Sequence, residues 1–306
     1  MGARIESVAT SRSRSGHFGR GALRLSDKAA RECIDRSGHQ PGDIDLLVNA
    51  GLYKDRSMAE PALASIIQED IGANPGHPPT RDRHGTFSFD VMNGGCGAIT
   101  AAHVVDAFVG TGAAQLGLVV AGDADPAPGI SRGFPFPSVG GAILLAHSET
   151  EEGFARFAFR TYPEHAELFE TRICWEPEVR HNVVEVREDP RFASRCVECA
   201  AEATTAFLSA VSLRSEDVDL LVTSQYPPGF SVDLAGALCI AADVAPTVRP
   251  ELASAHTAGP IVALESAVES GHFARARNVL FVTAGAGITI AMALYRNVRA
   301  AAVAPR

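Results

Sequence analysis

No apolar run in the sequence reaches the length of a membrane span, and none follows the arginines Arg4, Arg12, Arg14 and Arg20 to form the core of a secretory signal. Basic clusters are also missing: 27 Lys and Arg stand against 36 Asp and Glu, a net charge of -9. That balance argues against nucleic acid as a partner, because phosphate recognition rests on grouped cations. The chain has no Walker-type phosphate loop and no grouping of metal ligands, so no metal is expected. Six cysteines at irregular spacing do not make the disulfide framework of a small secreted domain. Cys196 and Cys199 form a C-x-x-C in RCVECAAEATTAFLSAV, but no second pair lies at finger spacing, so packing within a helix is their expected role. These absences leave a cytoplasmic protein with reduced thiols and no membrane segment.

A hydrophobic content of 46% with 21% charged residues is ordinary for a chain that buries a large core. The sequence also repeats itself. AARECIDRSGHQPGDIDLLVN at 29–49 and ATTAFLSAVSLRSEDVDLLVT at 203–223 each read as helix, polar turn, acidic D-x-D and apolar strand. A second echo pairs AFVGTGAAQLGLVVAGD, from Ala107, with AVESGHFARARNVLFVTAG, from Ala267. Continuously apolar strands such as LGLVVAG and NVLFVTAG require helices on both faces of their sheets. Two α/β halves are therefore expected, 1–150 and 151–306, divided where SETEEGF breaks the apolar pattern. Packed together they would give five layers, αβαβα. The stretch Pro163 to Asp189, with the lone Trp175, shows no periodicity and reads either as a lid or as a loop closing a sheet edge.

The sharpest local feature is FSFDVMNGGCGAITAAHVVDAFVGTG, where a strand enters a glycine-rich turn and leaves as an apolar helix, with Cys96 at the turn. A helix N-terminus lowers a thiol's pKa and glycines let a substrate approach, which suits a nucleophile. A small buried residue at a tight turn is the alternative.

The run FDVMNGGCGAITAAHVVDAFVGTGAAQLGLVVAGD resembles the active-site segment of ketosynthase III enzymes, and RNVLFVTAGAGITIAMALYR resembles that family's closing strand-turn-strand. The resemblance implies the thiolase fold, an acyl-thioester on Cys96, and an oxyanion held by the backbone N–H groups of Cys96 and of Ala286, the middle of Gly285-Ala286-Gly287. It implies no bound cofactor, but an acyl donor presented as an acyl carrier protein or coenzyme A thioester. It further implies a homodimer, with LGLVVAG at the shared edge. His256 in SAHTAGPIV matches a second-histidine site and would be the base, where ketosynthase III enzymes usually carry asparagine.

Two departures bear on chemistry. The family's first histidine falls on Ser224, followed by Gln225 and Tyr226, and serine cannot take a proton near neutral pH. Ordinary condensation is thereby placed in doubt, while acyl transfer to a hydroxyl or amine needs only Cys96, the oxyanion amides and one base. The amino-terminal region is abbreviated and offers no adenine-stacking residue for coenzyme A, which favours a carrier protein as donor. Phe134 and Phe136 read either as walls of an acyl pocket or as core, and Tyr226 is a candidate substrate contact. His181 could stand in for the missing histidine, and His103 is expected on the buried face of its helix. The leading expectation is an acyltransferase of specialised metabolism acting on a small-molecule acceptor. The rivals are a carbon-carbon bond-forming synthase and a non-catalytic partner subunit of an active paralogue.

Overall fold

The computed structural model describes residues 2–13, 21–73 and 85–298. Arg14 and Arg20 of the N-terminal segment lie outside these. In chain order the first group of elements is β1 (Ala3–Arg12), α1 (Ala22–Ser37), β2 (Leu46–Asn49), α2 (Leu63–Ile71), β3 (Phe87–Asp90), α3 (Gly97–Gly110), β4 (Leu116–Asp123) and β5 (Val139–His147). The second begins with β6 (Gly153–Thr161), β7 (Phe169–Glu176), β8 (His181–Glu188) and α4 (Phe192–Ala210). It continues through β9 (Leu220–Thr223), α5 (Phe230–Ala237), α6 (Gly259–Glu269), α7 (His272–Arg275), β10 (Asn278–Gly285) and β11 (Thr289–Arg296).

Among the described residues one sheet is ordered β1-β5-β4-β2-β3 and a second β6-β11-β10-β9, while β7 and β8 form a separate hairpin. Strands β2, β3 and β4 are parallel to one another, as are β9 and β10; the remaining pairs are antiparallel. Period-two alternation then sorts the side chains into layers. Val48, Val119 and Ala121 of the first sheet and Val222, Val279 and Phe281 of the second share one core with α3 and α6. Leu47, Leu118 and Val120 turn the other way onto α1 and α2. Leu221, Leu280 and Val282 turn outward onto α4 and α5. The result is the thiolase arrangement αβαβα, with α3 and α6 between the sheets. Their sequences, GAITAAHVVDAFVG and GPIVALESAVE, are short of charge because both helices are covered on opposite sides.

The repeat is visible in the elements: Pro41 corresponds to Ser215, Leu46 to Leu220 and Asn49 to Thr223, each 174 residues on. It explains the D-x-D pairs. Asp43 accepts from Gln40 N at 2.8 Å and Asp217 from Arg214 N at 2.8 Å, each closing its turn. The second acid of each pair grips the neighbouring strand: Asp45 accepts from Gln115 N and Leu116 N, and Asp219 from Arg277 N and Asn278 N. Neither pair belongs to a site.

Three expectations are corrected. LGLVVAG is β4, wholly buried between β5 and β2, because a strand with helices on both faces belongs inside the sheet; among the described residues the edge strands are β1 and β3. His103 is exposed on α3, stacked on Phe157 at 4.6 Å and near Phe159 at 5.6 Å. The stretch 163–189 is mostly the β7–β8 hairpin. With one face in water, it carries too few buried positions to show periodicity, and Trp175 is 61% exposed. Cys196 and Cys199 pack on the buried face of α4.

Candidate active site

The C-terminal ends of the parallel strands β2, β3, β4, β9 and β10 gather at one rim, where α/β sheets commonly bind ligands. After β3 the chain turns through Gly94, whose φ of 49° is left-handed, and Gly95, where an added Cβ would sit 2.2 Å from Ala284 O. The next residue, Cys96, is the N-cap of α3 and is completely buried. Its Sγ lies 3.2 Å from Thr289 O and 3.5 Å from Thr283 O, and a Cβ added to Gly285 would be 3.5 Å from it. The thiol is thus seated beneath the turn that joins β10 to β11.

Burial pushes the Cys96 thiol up to about 11, against the expectation that the helix N-terminus would lower it. Losing water costs the thiolate more than the contacts at Thr283 and Ala291 return. Of the two amides expected to form the oxyanion hole, Cys96 N is engaged with Asn93 O at 3.0 Å. Among the described residues no acceptor takes the Ala286 N–H, and Ala286 is exposed on the turn.

His256 precedes α6 and is 9% exposed. Phe136 lies 4.3 Å from its ring centre and Tyr53 5.2 Å. Asp123, at the end of β4 and 2% exposed, faces His256 Nδ1 with Oδ2 at 3.5 Å, within ion-pair reach but out of hydrogen-bond alignment. The same carboxylate accepts from Leu52 N at 3.0 Å, Tyr53 N at 2.8 Å and Thr257 N at 2.9 Å, and from the Thr257 hydroxyl. Burial pushes the Asp123 carboxyl up, but contact with His256 and these donors outweighs it, and the net direction is below the ordinary value. Sequence reasoning passed over Asp123 and Tyr53. A carboxylate closing the otherwise apolar LGLVVAGD was the available signal for the first.

The residues expected to replace the missing histidine are otherwise occupied. Ser224 Oγ accepts from Ala284 N at 2.9 Å. Gln225 Nε2 donates to Thr223 O at 3.1 Å and Ser224 O at 3.3 Å. Tyr226 donates its hydroxyl to Glu188, with its ring 4.8 Å from Phe136. His181 pairs with Glu176 at the far end of the hairpin, roughly 17 Å along the strand from Thr171, where the Tyr53 hydroxyl makes contact. Phe136 is buried against His256, and Phe134 meets Tyr53 edge-on at 5.0 Å.

The family described as 3-oxoacyl-[acyl-carrier-protein (ACP)] synthase III C terminal matches residues 208–297, which contain β9, His256 and the β10–β11 turn. The chain is 26% identical over 282 residues to the beta-ketoacyl-[acyl-carrier-protein] synthase III of Sphingopyxis alaskensis, covering 89% of this chain and 83% of that one. In structure it is similar to 3-oxoacyl-(acyl carrier protein) synthase III, FabH, from Pseudomonas aeruginosa PAO1, with a TM-score of 0.82 at 17% identity over 97% of this chain and 98% of that one. OleA of Xanthomonas campestris, solved with bound lauric acid and lauroyl-CoA, gives 0.79 at 15% identity over 97% and 99%. In fold the chain is similar to these synthase III structures, and Cys96 stands at the start of the central helix. In sequence it is ketosynthase III-like, through the family match in its C-terminal part and through relatives along most of its length.

Proposed function

We propose that the protein is an acyltransferase that carries an acyl group on Cys96 and passes it to a hydroxyl or amine of a small molecule. The observation that carries this reading is the commitment of Ser224, Gln225 and Tyr226 to other partners, so that none of them takes the place of the absent histidine, while His256 is buried at the rim. Decarboxylating a malonyl thioester needs two donors on its carbonyl, whereas acyl transfer needs one base. In the first half-reaction His256 takes the Cys96 proton as sulfur attacks the thioester carbonyl, and the Ala286 N–H faces the oxyanion. The C–S bond to the donor then breaks, and its thiolate takes the proton from His256. In the second, His256 takes the acceptor's proton, the acceptor bonds to the acyl carbon, and Cys96 leaves and is reprotonated.

A thioester donor fits the relatives, which are named beta-ketoacyl-[acyl-carrier-protein] synthases. Their name also favours a second reading, carbon-carbon bond formation. Incubation with a carboxyl-labelled malonyl thioester separates the two: acyl transfer keeps the label in the product, and condensation releases it as carbon dioxide. A homodimer through the edge of β3, unpaired among the described residues, completes the proposal. Phe87 is 57% exposed there and Met92 65%, and pairing with a second copy's β3 would cover both. A soluble cytoplasmic setting suits a fold in which no described helix is long and apolar enough to cross a membrane.

A further inference from the structure

We propose that Asp123 is a positioning residue that holds the His256 imidazole with its proton on Nδ1, leaving Nε2 free as the base. The inference rests on the acyltransferase reading, in which His256 moves protons.

Three observations converge. Among the described residues His256 Nδ1 is a buried atom with no hydrogen-bond partner, and Asp123 Oδ2 faces it at 3.5 Å. Four donors from two segments hold that carboxylate still: Leu52 N and Tyr53 N on Oδ1, Thr257 N and its hydroxyl on Oδ2. Thr257 adjoins His256, so the clamp that fixes the acid also fixes the backbone that carries the histidine. The rings of Tyr53 and Phe136 pack against the imidazole at 5.2 Å and 4.3 Å between ring centres and restrict how far it can turn.

An ionised carboxylate can only accept, so the partner it selects is an Nδ1–H tautomer. It also favours the imidazolium formed when His256 takes a proton. The other titratable group packed on the ring is the Tyr53 phenol, pushed up to about 12 by burial and therefore neutral across the working range. Asp123→Asn keeps a carbonyl oxygen for Leu52 and Tyr53 but can turn an NH2 toward His256. That donor selects the opposite tautomer and withdraws the negative charge.

The test follows acylation of Cys96 by a short acyl thioester, read by intact mass, over about pH 5 to 9, where imidazole titrates. Wild-type protein, Asp123→Asn and His256→Ala are compared. The expected result is a plateau rate lower by about 100-fold or more in Asp123→Asn, with its midpoint moved to lower pH. A merely loosened structure would reduce the amplitude and leave the midpoint in place. An Asp123→Asn profile equal to wild type, with His256→Ala inactive, overturns this inference alone. Wild-type acylation unaffected by His256→Ala overturns the acyltransferase mechanism, and this inference with it. Should Asp123→Asn fail to fold, 15N NMR of the wild type decides, with the His256 signal identified by its loss in His256→Ala. Nδ1–H supports the proposal and Nε2–H refutes it.

Discussion

Cys96 is where two physical effects oppose each other, and the magnitude of burial settles the outcome. The helix N-terminus was legible in the sequence, but complete burial depends on the β10–β11 turn, which lies almost two hundred positions further along the chain. With the thiol at about 11, alkylation by iodoacetamide is expected to be slow at neutral pH and to climb as pH approaches that value; a rate already saturated near pH 8 would contradict it. Ser224 separates the two roles it could hold. Ser224→Ala strands the buried Ala284 N–H and should cost about 1–3 kcal/mol in denaturant unfolding while leaving the rate of Cys96 acylation unchanged. A loss of acylation without a loss of stability would restore Ser224 to the chemistry. The motif comparison located this position but could not tell which way its hydroxyl turns.

At the scale of elements, helices without their own polar caps are held by carboxylates from elsewhere. Asp55 accepts from Ala22 N and Leu23 N at the start of α1, and Asp90 from Leu63 N and Ala64 N at the start of α2. Asp90 also pairs with the buried Lys54, so Asp90→Ala leaves a buried cation alone and should cost about 3–5 kcal/mol, measured by denaturant titration. Burial pushes Asp90 up, but Lys54 and these amides outweigh it, so Asp90 and Asp123 are both held below the ordinary carboxylate value. Each stabilises fully above the unfolded-state value of about 4, and that contribution is lost as pH falls through the lower folded value. The strands and the repeat were readable because a buried face imposes a pattern. The D-x-D pairs were readable as an echo, but their strand-gripping role was not, since each Asp45 or Asp219 bond reaches about sixty to seventy residues away. The β7–β8 hairpin escaped because its residues face water.

For the whole molecule, duplication sets the architecture: two copies of one helix-turn-strand plan, 174 residues apart, back onto a shared layer of α3 and α6. That layer was implied by charge-poor helices, and the layers followed. Which strand ends a sheet did not, because order within a sheet is a property of long-range pairing; β4, expected at an edge, lies inside its sheet. If the edge of β3 joins two copies, Phe87→Glu should convert a dimer to a monomer in sedimentation analysis. An unchanged dimer would move the interface elsewhere. Cys96 as acyl carrier is the claim on which the rest depends, and intact-protein mass spectrometry tests it most directly, using short acyl thioesters of coenzyme A and of carrier protein with wild type and Cys96→Ala. The account predicts an acyl mass adduct in the wild type that is absent in the variant. A folded wild-type protein that takes up no acyl group from any donor would contradict it and favour a non-catalytic partner subunit.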